Sequence, residues 1–211
     1  MAEETKEIKI ETSTDTKLPS IKNGVWIASV KEETLGMNWF KHCGFGKINA
    51  TRTILLAVQG YTMVHNKLPS FVCCFGWAYN GGSTKGLHEI TQFKEGDMQI
   101  NDLYQTPMDD IPGVLGNPKG MACATMDKVT DTFIAECSDH TAYAIAKQCA
   151  EMQINFKCYK YLSPNRPYTM DPDYHEYRQI INPAWIEDCK QGAEAMRKMC
   201  ESKFGDVPSA T

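Results

Sequence analysis

The chain has 211 residues, 42% of them hydrophobic and 23% charged, enough for one domain with a real core. Its formal net charge of −4, with no basic tract, excludes a sequence-blind nucleic-acid surface, although a small anionic ligand held by local backbone dipoles stays open. No apolar run reaches membrane length, and the nine cysteines show neither a Cys-x-x-Cys pair nor a His–Cys cluster at zinc spacing, so they read as small apolar residues of a reducing, cytoplasmic setting, with no metal or cofactor implied.

Residues 1–20 are rich in Glu, Lys and Thr and read as a flexible arm, acidic and polar rather than a signal peptide. Residues 21–205 read as a single α/β domain, and 206–211 as a tail. Gly24 to Val30 is the first strand. Glu33 follows it, either at a strand end where open α/β sheets bind ligands, or as part of a solvated acidic pair opening a helix. One short strand around Trp39 to Cys43 fits before the glycine turn. Gly44 and Gly46 in that turn allow positive φ, and a helix runs to about His65 with Ala50, Ile54, Ala57 and Val58 on one face. The N–H groups at the start of this helix suit an anion; a tight packing turn has the same sequence.

Phe71 to Phe75 is wholly apolar, as in a strand covered on both faces, and ends in a second turn containing Gly76, Trp77, Ala78 and Tyr79. Asn80 to Gly86 is a glycine-rich loop able to close over a ligand, and Leu87 to Phe93 alternates as a strand. Asp97 either orients a ligand or sits in a plain turn. Tyr104 to Lys119 reads as a surface loop, a lid or an oligomer contact. Met121 to Met126 is a buried strand, with Asp127 capping a following helix. Asp139 to Met152 reads as an amphipathic helix and Phe156 to Ser163 as the last strand. Arg166 beyond it either meets a phosphate or is solvated. Asn182 and Pro183 open the C-terminal helix, whose stripe is Ile186, Cys189, Ala193, Met196 and Cys200, and Gly205 ends it. These elements make a three-layer α/β sandwich with a mixed central sheet.

The run Gly44-Phe45-Gly46-Lys47-Ile48-Asn49-Ala50 resembles the Gly-x-Gly-Lys-x-Asn-Ala turn of the nucleoside phosphorylase and methylthioadenosine (S-adenosylhomocysteine) nucleosidase superfamily. Asp139-His140-Thr141-Ala142-Tyr143-Ala144 is similar to that family's Asp-Met-Glu-Ala-Tyr-Ala helix start. The resemblance spans about Gly24 to Ser163 and marks a divergent, shortened relative with a nucleoside phosphorylase-like fold. It implies that Glu33 matches the carboxylate that activates water, and that Gly76 and Ala78 lie at the sugar and base. Asp127 matches the family's Gly-Asp-x-Phe segment, but Val129 stands where an aromatic stacks on the base, which leaves Trp77 or Tyr79 to do so.

Thr141 replaces the Glu that grips the ribose hydroxyls, His140 takes the Met position, and Pro164 follows Ser163 where the family's base-protonating Asp belongs. Two functions follow. One is a nucleoside- or nucleotide-binding protein with a degenerate catalytic site, a pseudoenzyme sequestering a nucleotide-like ligand. The other is an active N-glycosidase, with Glu33 on water and Asp139, His140 or Asp97 as substitute acid. The family's assemblies imply a homo-oligomer.

Overall fold

The computed structural model describes residues 20–82, 84–97, 114–127, 134–170 and 179–205. The N-terminal arm, the C-terminal tail, most of the Tyr104 to Lys119 loop, the helix expected after Asp127, and Val129 lie outside these residues. In chain order the elements are β1 (Gly24–Ala28), β2 (Phe40–His42), α1 (Lys47–His65), β3 (Phe71–Tyr79), β4 (Gly86–Ile90), β5 (Gln92–Glu95) and β6 (Val114–Gly116). There follow β7 (Ala122–Thr125), β8 (Cys137–Asp139), α2 (Ala142–Glu151), β9 (Phe156–Ser163), β10 (Tyr168–Met170), β11 (Gln179–Ile181) and α3 (Pro183–Phe204).

The apolar strand β3 is central, as its composition requires. It pairs in parallel with β1 on one side and β9 on the other, and β2 extends the sheet beyond β1. β4 lies antiparallel on β9; at Thr91 the chain bulges, with the amides of Thr91 and Gln92 both donating to the Met121 carbonyl. β5 then turns onto β7 and carries β6 on its outer side, β7 pairs with β8, and β8 returns to β3 through Tyr79 and Ser138. The circuit β3–β9–β4/β5–β7–β8 thus closes the mixed sheet into a distorted barrel.

Period-two alternation along β3 sorts its side chains between two layers. Val72, Cys74 and Ala78 join Ile27, Cys158 and Leu162 beneath Ala50, Ile54 and Val58 of α1 and Ile145 and Cys149 of α2. Phe71, Cys73 and Phe75 face the other way with Trp26 and Tyr159, against Ala193, Met196 and Cys200 of α3. The expected three-layer sandwich is the observed one.

Several element boundaries differ from the expectation. β3 runs on to Tyr79, because the Gly76 turn is extended strand paired with β9. Leu87 to Phe93 is two strands, not one. Asp139 does not start a helix: it ends the three-residue strand β8, and α2 begins at Ala142. Cys137-Ser138-Asp139 is too short for a period to show, so only its neighbours β7 and β3 make it a strand. β9 is not the last strand, since β10 and β11 form a small antiparallel hairpin after it. No described helix is long and apolar enough to cross a membrane.

Ile54 is fully buried on the inner face of α1, whereas Gln59 is exposed on the same helix. Ile54→Ala is expected to destabilise the protein by about 2–5 kcal/mol in urea unfolding. Gln59→Ala should stay within about 0.5 kcal/mol of the parent.

Candidate functional site

After β1 a single turn of 3-10 helix, Lys31–Glu33, folds the Glu33 side chain back onto the sheet. One carboxylate oxygen accepts hydrogen bonds from the amides of Ser29 (3.0 Å) and Val30 (3.2 Å), and the other from the amide of Trp77 (2.9 Å). Glu33 is 2% exposed, so the solvated acidic pair is ruled out. Its space exists because residue 76 is glycine: a Cβ there would stand 3.0 Å from both carboxylate oxygens. Burial pushes the Glu33 pKa up, against the opposing pull of Lys160 and the three amides.

Lys160 is the partner of Gly76 in the β3–β9 register, on the inward side of its strand. It is completely buried, and its ammonium lies 2.6 Å from Asp139 Oδ2. Asp139 also accepts from Thr125 Oγ1 (2.6 Å), Thr141 Oγ1 (3.1 Å) and the amide of Ala142 (2.8 Å), and so caps α2. Burial alone would raise the Asp139 carboxyl; Lys160 and these donors outweigh it and hold it below the usual carboxylate range. Lys160 escaped the sequence reading. Its signal was the alternation Phe156, Cys158, Lys160, Leu162, which puts a lysine where the strand faces inward.

The glycine turn holds Gly44 at φ +78° and Gly46 at φ +98°. The first amide of α1, that of Lys47, donates to Asp127 Oδ1 at 2.9 Å. The Lys47 ammonium pairs with Glu95 and, at 2.8 Å, with Asp97, while the Asp127 amide donates to Asp97 Oδ2 at 2.6 Å. The anion sought at this helix start is therefore a side chain of the protein. Asp97 belongs to that ion cluster.

At the tip of β3 the buried Trp77 ring meets Trp185 of α3 edge-on at 6.4 Å, and the Arg166 guanidinium lies 4.7 Å above the Tyr79 ring. Trp77, Tyr79, Met126, Ser138, Asp139 and His140 line a narrow crevice whose side chains leave almost no internal free space, far less than a typical ligand pocket holds. His140 Nδ1 lies 2.6 Å from the Met126 carbonyl, which can only accept, and the His140 ring meets Phe45 edge-on. Among the described residues no group of three His, Cys, Asp or Glu side chains is placed to hold a metal ion.

A further carboxylate stands beside the tip of β9. Asp188 of α3 accepts from Ser163 Oγ and from Asn165 Nδ2 (2.7 Å), and pairs with the Lys85 ammonium at 2.5 Å. Burial opposes its charge, but Lys85, Ser163 and Asn165 hold its carboxyl below the usual range. Nothing local in the sequence links Asp188 to Pro164.

No family model matches the sequence, and no curated protein matches it. Solved structures do. A futalosine hydrolase mutant of Helicobacter pylori superposes with a TM-score of 0.63 at 10% identity, covering 85% of this chain and 98% of its own. The Campylobacter jejuni 5′-methylthioadenosine/S-adenosyl homocysteine nucleosidase gives 0.59 at 14% identity, with coverages of 85% and 98%. A Helicobacter pylori nucleosidase mutant solved with 5′-methylthioadenosine in its active site gives 0.62 at 10%, again with 85% and 98%. The fold is that of the nucleoside phosphorylase-like nucleosidases.

Within this nucleosidase fold the sequence-expected residues separate into groups. Trp77, Asp139 and His140 share the cleft, and Glu33 touches it through the Trp77 amide. Gly76 makes room for Glu33, and Ala78 is core. The Thr141 hydroxyl is turned inward to Asp139, and Ser163 is turned to Asp188. Gly44, Gly46 and Asp127 shape the start of α1.

Lys160→Met leaves Asp139 buried without its counter-charge and is expected to cost about 3–5 kcal/mol at pH 7; adding Asp139→Asn should recover much of this. The folded Asp139 pKa lies below its unfolded value, so its contribution is complete above about pH 4 and is lost as pH falls through the folded pKa. Urea midpoints of parent and Lys160→Met proteins should therefore converge on acidification.

Proposed function

We propose that the protein binds a nucleoside- or nucleotide-like small molecule at the tips of β3, β8 and β9 and holds it without cleaving it. The observation that carries this reading is the state of the carboxylates. Glu33 is occupied by three amides, Asp139 by Lys160, two hydroxyls and an amide, and Asp188 by Lys85, Ser163 and Asn165. Cleaving an N-glycosidic bond needs a proton for the departing base, and a placed donor is worth about 10²–10⁴ in rate. Asp139 and Asp188 are both held ionised, and Pro164 carries no acid. The nucleoside-shaped ligand is supported by the fold and by the aromatic wall of Trp77 and Tyr79, which suits a planar base.

The second reading, an active N-glycosidase with Glu33 directing water, is favoured by one observation: Asp188 brings a carboxyl to the Ser163–Asn165 corner. A cytoplasmic setting is part of the proposal and is supported by the eight buried cysteine thiols, which pack as apolar residues. So is a homo-oligomer, supported by the outer face of α1, where Ile48, Leu56, Met63 and Val64 are 84%, 56%, 79% and 77% exposed.

Incubation with a panel of nucleosides and nucleotides, with chromatography for free base and thermal melting in parallel, tests the reading. Binding without turnover predicts stabilisation of about 2.7 kcal/mol at a hundredfold excess over Kd and no base released. Base released by the parent and not by Glu33→Gln would establish the glycosidase instead. For the assembly, Leu56→Lys with Met63→Lys should lower the mass measured by sedimentation equilibrium.

A further inference from the structure

The turn after β9 is pinned on both sides, and that fixes where Arg166 stands. Asn165 donates from its amide to Ser163 Oγ (2.9 Å) and from Nδ2 to Asp188 (2.7 Å). The carbonyl of Pro167, one residue beyond Arg166, accepts from the Asn182 amide at 2.9 Å. Between these anchors the Arg166 guanidinium lies 4.7 Å above the ring of Tyr79, itself the register partner of Ser163. A guanidinium held on an aromatic face has its planar fork of N–H donors pre-organised, so less is lost when the fork meets an oxygen-rich group. Arg166 is half-buried on Tyr79, which sets the solvated alternative aside.

Tyr79 lines the crevice, and both it and Arg166 are partly exposed. They form its rim, where a ligand group reaches them from water without entering the narrow interior. The charges around them do not oppose an anion. Asp139 is the acidic residue among those described along the crevice, and the Lys160 ammonium stands 2.6 Å from it. Asp188, behind the rim, is paired with Lys85. The Trp77 indole also lines the crevice; its Nε1–H has no acceptor among the described residues, and an indole can only donate. A cation and an unmatched donor at one strand tip call for a ligand rich in acceptor oxygens.

We propose that Arg166, held on Tyr79, recognises a phosphate at this rim, and that the ligand is a nucleotide rather than a nucleoside. The phosphate oxygens take charge-assisted hydrogen bonds from the guanidinium, and Tyr79 is the positioning residue that holds the fork in place. The inference rests on the reading of the β3 tip as a nucleoside-like site and adds the charged group that the ligand carries.

The test is isothermal titration calorimetry of AMP, adenosine, UMP and uridine on the full chain at physiological salt, in the parent, Arg166→Gln and Arg166→Lys. In the parent at least one nucleotide is expected to bind about tenfold or more tightly than its own nucleoside; Arg166→Gln brings that ratio to about one, and Arg166→Lys, which keeps the charge without the planar fork, restores part of it. The ratio is the readout, because a general loss of packing weakens both members of a pair. Equal affinity of nucleotide and nucleoside in the parent overturns the proposal and leaves the nucleoside reading intact. A preference that survives in Arg166→Gln overturns the role of Arg166. Binding of none of the four overturns this proposal and the ligand reading together. Matching thermal melts of the ligand-free proteins verify that the variants fold.

Discussion

A fully buried ammonium, Lys160, sits beside an almost fully buried carboxylate, Asp139, inside the barrel formed by β3, β9, β4/β5, β7 and β8. Two charges taken out of water cost several kcal/mol each unless the geometry is good and the remaining polar atoms are matched. That requirement organises the neighbourhood. Thr125 at the end of β7, Thr141 before α2 and the first amide of α2 all turn toward Asp139. The Thr125 hydroxyl in turn accepts from the Tyr143 amide at 2.7 Å. One ion pair therefore sets how β7, β8, β9 and α2 meet, and a short strand such as β8 is held in place by its last side chain.

The same pair sets the chemistry of the candidate site. Gly76, across from Lys160, leaves space that the Glu33 carboxylate fills, so a second carboxylate lies near the same ammonium with its own three amide donors. Both buried carboxylates are hydrogen-bonded, and Lys160 is the cation that acts on each of them. Delivering a proton needs a group that can carry one at neutral pH, and Asp139 and Asp188 are both held on the ionised side.

Two features meet at the strand tips. The start of α1 is occupied by Asp127, which also belongs to the Lys47, Glu95 and Asp97 cluster, so the helix dipole acts on a protein carboxylate. The tip of β3 carries Trp77 and Tyr79, and their rings take up room at the cleft.

The sequence by itself determined the layer architecture. The apolar run of β3, the helical stripe of α1 at Ala50, Ile54 and Val58, and the capped α3 after Asn182 are local patterns, and local patterns survive as written because they follow the period of one element. The glycine turn at Gly44 and Gly46 was legible for the same reason, since positive φ is a demand on single residues. The tertiary structure alone decided where the charges meet. Lys160 is 21 residues from Asp139, Glu33 is 44 residues from Trp77, and Asp188 is 25 residues from Ser163. No period or short motif links such positions; they become neighbours only when the sheet closes, and desolvation then forces each charge to find the partners that the closure places beside it.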